Sequence, residues 1–108
     1  MKLVNLTPHD VIIRLPGGDR VIPASGTVAR VATSHELVDE IDGIPVSAQT
    51  YGQIEGLPEP RDGVFYVVSA VVLAAAKELG RTDVVAPDTA RAIRNEAGQV
   101  VAVPGLVR

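Results

Sequence analysis

The rhythm of apolar and polar positions changes at Gly63. Before it, apolar residues come in short runs, some alternating with polar ones, and turn formers interrupt them every few positions. Leu3 to Leu6 and Val11 to Leu15 read as strands, and Pro16-Gly17-Gly18-Asp19 is a hairpin-type turn leading into Arg20-Val21-Ile22. Thr27 to Val31 alternates as a half-buried strand does. Glu36 to Ile41 and Ile44 to Ser47 flank Asp42-Gly43, a strong two-residue hairpin signal. The middle of the chain therefore reads as a β-meander. Gly56 to Gly63 holds two prolines between its glycines and reads as a loop.

After Gly63 the pattern is different. Val64-Phe65-Tyr66-Val67-Val68 is a continuous apolar run, the mark of a strand buried on both faces. Ser69 fits a helix N-cap, Ala70 to Leu79 is rich in helix formers, and Gly80 stands where a left-handed C-cap belongs. Thr82 to Ala86 is a second strand, stopped by Pro87. Ala90 to Arg94 and Gln99 to Val103 bracket Asn95-Glu96-Ala97-Gly98 as a closing hairpin. The predicted fold is a single α+β domain over residues 1–108, mainly antiparallel, with one principal helix in a β-α-β unit near the C-terminal third. Val64 to Val68 is its central strand. If the two late strands are parallel, Ser69 and Pro87-Asp88-Thr89 emerge at one sheet edge, where open α/β sheets place ligands.

The helix is apolar on nearly every side: Val71, Val72, Leu73, Ala74, Ala75, Ala76 and Leu79 leave little for solvent. Either one face meets another subunit, or the helix is sunk between the sheet and a long loop. A chain of 108 residues gains from a partner, and a homo-oligomer is expected. The net charge of -3, with scattered lysine and arginine and three aromatic residues, argues against non-specific nucleic-acid binding. Absence of cysteine removes disulfides, thiol catalysis and thiolate metal sites. The first apolar run breaks at Thr7-Pro8-His9-Asp10, too soon for a signal peptide, and Ala70 to Ala76 is far short of a membrane span. A soluble, cytoplasmic protein without membrane partners is the expectation. Two histidines with no carboxylate spacing make a poor zinc site, and the Gly-rich dinucleotide fingerprint is missing, so no cofactor is expected.

Several motifs occur together: Asn5-Leu6-Thr7-Pro8-His9, Ile44-Pro45-Val46 after an Asp-Gly turn, Gly56-Leu57-Pro58-Glu59-Pro60, Val67-Val68-Ser69 and Pro87-Asp88-Thr89. In this order, and over nearly the whole chain, they resemble a family of small phage, prophage and bacterial proteins. One departure is Ala86, where the family pattern has a bulkier aliphatic residue; the polar positions are undisturbed. The resemblance brings no activity with it. What it implies is an accessory phage role, against host defence.

Two polar groups carry candidate chemistry. In Thr7-Pro8-His9-Asp10, His9 is either a ligand donor or general base, or a residue tying the turn to a neighbouring loop. His35, in a polar turn, reads as solvated. In the second group, Asp88 and Thr89 leave the late strand and Arg91 follows; with Ser69 and the free amides of the helix start they are suited to a phosphate or carboxylate. The alternative is that Asp88 pairs with Arg91 and Arg94 is merely exposed. The expected site is thus Ser69, Asp88, Thr89 and Arg91, with His9 and Tyr51 as wall residues. No catalytic residue is assigned, because Ser69 lacks the nucleophile-elbow context. Three functions follow from these residues: capture of a small anionic, nucleotide-like ligand, which the resemblance implies is a host immune signal; a protein-interaction module using the helix or a sheet edge; and a small hydrolase using His9 and Asp88. An enzyme is the less favoured class.

Overall fold

Residues 1–108 are described by a computed structural model. Its centre is β6 (Val64–Val67), flanked by β1 (Lys2–Asn5) and β7 (Val84–Pro87), both parallel to it. Strand β10 (Leu106–Val107) closes the other side of β7 in the antiparallel sense. Between β6 and β7 lies the one helix, α1 (Ala70–Glu78), capped by Ser69, whose Oγ accepts the Val72 amide. Gly80, just beyond it, takes φ +78°, the left-handed conformation expected of a residue that ends a helix.

The period-two geometry of strands explains why the run Val64 to Val68 carries no polar residue. Tyr66 and Val68, with Val84 and Ala86 of β7, join a core formed with Leu6, Ala29 and the helix residues Val72, Leu73 and Ala76. The intervening Val67 and Val85 belong to a second core on the opposite face, with Val11, Ile13, Ile22 and Val103. Both faces of the central strands are therefore covered. The second layer is the hairpin of β2 (Val11–Leu15) and β3 (Gly18–Ile22), together with the chain around Val103.

The remaining strands form two further hairpins. Strands β4 (Arg30–Ile41) and β5 (Ile44–Glu55) make a 12-residue ribbon turning at Asp42-Gly43, while β8 (Ile93–Arg94) and β9 (Val100–Ala102) close around Asn95 to Gly98. The α+β class, the single helix and the central place of β6 agree with the sequence. The meander does not: β2–β3 and β4–β5 are separate two-stranded ribbons. One folds onto the sheet to bury Val11, Ile13 and Ile22, and the other leads away from it. Strand structure at Thr27 to Val31 starts only at Arg30, and the Ala90 to Arg94 segment begins as a single 3-10 turn over Thr89–Arg91. The ribbon also gives the molecule its shape. Its radius of gyration is 16.3 Å, against about 13 Å for a compact domain of this size.

The helix is buried between two elements. It packs on β7 on one side and against the base of β4 and β5 on another. Val71 and Leu79 are its exposed large apolar residues.

A partly buried ion pair ties the loop before β6 to the start of β7. Arg81 donates from Nε and Nη2 to the two Asp83 carboxylate oxygens, each at 2.9 Å, and Nη2 also reaches the Pro58 carbonyl at 2.9 Å. These bonds hold the Asp83 carboxyl below its ordinary range, against an opposing desolvation. Because the folded state lowers the pKa, the stabilisation is complete above the unfolded value, about 4, and is lost as pH falls through the lower, folded value. Thermal denaturation followed from pH 7 to pH 3 is expected to show this loss, and Asp83→Asn to remove part of it while being less stable near neutrality.

Candidate functional site

Strands β1 and β6 end at Asn5 and Val67, and the site is built outward from there. Asn5 is 1% exposed, yet its amide is fully used. Nδ2 donates to the His9 and Ile22 carbonyls, both at 2.9 Å, and Oδ1 accepts from the Thr7 amide at 2.9 Å and the Thr7 hydroxyl at 2.6 Å. That is the whole bonding capacity of an asparagine side chain, and the fixed donors and acceptors around it settle which atom is nitrogen. The side chain thereby pins the Thr7-Pro8-His9 turn to the end of β3. Asp10 adds a second clamp, its Oδ1 accepting the Ala24 amide at 2.9 Å.

The chain after β3 then runs alongside the end of β1. The Ser25 amide donates to the Asn5 carbonyl and the Ala29 amide to the Leu6 carbonyl. This lays residues 28–31 beside the start of α1. Between them lies a cavity of about 400 Å³ with an apolar floor of Leu6, Ala29 and Val72 and a rim that includes Ser69, Thr7 and Arg30. The Thr7 hydroxyl is committed inward, to Asn5 and the His9 carbonyl. The Ser69 hydroxyl accepts from Val72 at 3.4 Å, which leaves its proton free to donate. As the first two amides of α1, Ala70 and Val71 have no acceptor within the helix, and no acidic residue occupies its first turn. Arg30 is exposed and forms no ion pair, so its guanidinium is available to a ligand.

The expected single pocket of Ser69, Asp88, Thr89 and Arg91 is divided in the structure. Ser69 faces the cavity just described. Asp88 is buried and joined to Arg91, whose Nε donates to Asp88 Oδ2 at 2.7 Å and whose side chain is otherwise 75% exposed. Its carboxylate is thus turned to a neighbour three residues along, and Arg94 reaches the Gly98 carbonyl of its own hairpin at 2.8 Å. Thr89 and His9 do come together, lining a second cavity of about 420 Å³ with Asp10, Pro87 and residues 100–103. Tyr51 lies on β5, paired in register with Thr33 on the ribbon, and lines neither cavity. No hydrogen bond connects His9 with Asp88 or Ser69, and no cluster of three potential metal ligands is present.

Sequence reasoning missed two residues here. Asn5 was visible as the polar residue at the end of an apolar strand, directly before a Thr-Pro turn, and that placement was its signal. Arg30 gave none, because it reaches the helix start only through the path of residues 24–29. No helix is long and apolar enough to cross a membrane. Comparison of the chain with protein-family models, curated proteins and solved structures finds no match.

Proposed function

We propose that the protein captures a small anionic, nucleotide-like ligand, without catalysis, in the cavity at the start of α1. The observation that carries this reading is the coincidence, on one apolar-floored cavity, of an unpaired arginine, a free hydroxyl proton and the first turn of α1 at Val71 and Val72. Helix starts favour anions because their unbonded amides point outward and the helix dipole is positive there. A planar guanidinium adds a fork of donors suited to phosphate. The apolar floor offers a base or other flat group a place to rest. Sequestration of a host immune signal by a phage protein is the biological form of this reading, and it rests on the family resemblance alone.

Native mass spectrometry of the protein purified from bacterial cells tests it. A retained phosphate-bearing mass is expected, and it disappears in Arg30→Ala. Loss of one charge-assisted hydrogen bond is worth about 1.5–3 kcal/mol, or roughly tenfold to more than a hundredfold in affinity. Arg91→Ala separates the two placements of the site: it leaves capture intact if the ligand sits beside Ser69 and abolishes it if the ligand sits on the Asp88–Arg91 pair. A stoichiometric protein partner in place of a small mass would overturn the reading in favour of an interaction module.

A further inference from the structure

The β4–β5 ribbon is unusual in having no body beneath its outer part. Leu37, Val38, Ile41 and Ile44 are between 57% and 67% exposed, and Ile41 and Ile44 sit directly opposite each other at the turn. A two-stranded ribbon in water is marginal by itself, and an apolar tip on it is a place to be covered. Charge is distributed just as unevenly. Residues 31–54 carry four carboxylates, Glu36, Asp39, Glu40 and Asp42, and no lysine or arginine; the rest of the chain holds all ten cations against nine carboxylates. None of those four carboxylates forms an ion pair within the chain.

The complement to this tip exists elsewhere on the same molecule. On the sheet face that carries β2 and β3, the hairpin stops short of one end of the strands, and an open groove of about 430 Å³ there is lined by Leu3, Phe65, Leu106 and the edge of buried Val85. Arg20 and Arg108 flank it, and neither has an ion-pair partner. An isoleucine pair bordered by unpaired carboxylates on one element thus matches an apolar groove bordered by unpaired arginines on another. The two cannot meet within one chain, because the ribbon leads away from the sheet. Strands of 12 residues span about 40 Å at about 3.3 Å per residue, enough to lay the tip across a second body whose shorter dimensions are 39 and 21 Å.

We propose that the ribbon is an exchange arm: its tip docks into the Arg20-flanked groove of a second copy of this chain, reciprocally, in a two-fold dimer. A reciprocal contact closes after two subunits and uses the same two patches on each. The carboxylates steer the arm and fix its orientation, while the isoleucine pair buries apolar surface against Leu3 and Phe65.

Sedimentation velocity of the full chain across a micromolar dilution series tests the arm. Wild-type protein is expected to be a dimer. Substituting Ile41 and Ile44 together by serine, at exposed positions that leave far-UV circular dichroism unchanged, and separately Arg20→Glu, should each weaken association by about tenfold or more. Mixing the two variants is the decisive arm: either change disables the contact it touches, so each variant alone has two disabled contacts, whereas the mixture has one intact and one disabled contact and should associate more tightly than either variant with itself. A monomeric wild type overturns the proposal. So does dissociation by the serine substitutions with no effect of Arg20→Glu, the signature of ribbons pairing edge to edge, and so does a mixture that fails to associate.

Discussion

Asn5→Asp is expected to lower the unfolding free energy by about 3–5 kcal/mol at neutral pH, a large part of the roughly 5–15 kcal/mol that holds a small domain together. The substitution changes one atom and almost no volume. What it removes is the donor pair that serves the His9 and Ile22 carbonyls, and what it introduces is an oxygen facing two other oxygens in a site that excludes water. Asn5→Ala should cost somewhat less, about 2–4 kcal/mol, since it leaves those carbonyls and the Thr7 amide unpaired without adding charge. Thr7→Val, which removes only the hydroxyl, should cost about 1 kcal/mol. Urea denaturation of the three variants gives the order directly. An Asn5→Asp protein as stable as wild type would show that the Thr7-Pro8-His9 turn is not held by this side chain, and the wall of the candidate site would lose its support.

Gly56→Ala is expected to be nearly as damaging, for a steric reason. Gly56 has φ +81°, and a Cβ placed there would lie 2.6 Å from the Val28 carbonyl oxygen, which is backbone and has little room to yield. Gly80 supplies the control, with φ +78° but nothing within 4 Å of the added carbon. Gly80→Ala should cost about 1–2 kcal/mol from left-handed strain alone. Gly56→Ala should cost about 3–4 kcal/mol, the excess reporting the clash. Because residues 28–31 wall the candidate cavity, any relief of that clash by backbone movement also displaces Arg30. The variant should therefore lose ligand capture in its folded fraction, which Gly80→Ala should not.

Elements whose signals are local can be read from residue order alone. Ser69, the alanine-rich stretch and Gly80 specify the helix within a dozen residues, and the observed span, Ala70–Glu78, follows from capping and propensity. The unbroken run at Val64 to Val68 announced a strand covered on both faces, because its β-branched and aromatic residues and its bounding turn signals favour a buried strand over a buried helix segment. Asp42-Gly43 set the turn of the long hairpin, with Asp42 itself at φ 52°. Even the Asp88–Arg91 pair was legible as one of two alternatives, because its partners are three residues apart.

Where distant pieces meet is set by packing across the whole chain. Arg30 and Ser69 are 39 positions apart in the chain, and their shared cavity depends on the Ser25 and Ala29 amides following the end of β1. Whether a hairpin folds back or leads away depends on what its faces find to cover, which is why β2–β3 lies on the sheet through Val11, Ile13 and Ile22 while the equally regular β4–β5 stands clear. Polar residues follow the same division. A local pattern shows that Asn5 interrupts an apolar strand, but only the arrival of the His9 and Ile22 carbonyls makes burying its amide favourable, since hydrogen-bond partners separated by 17 residues are chosen by packing.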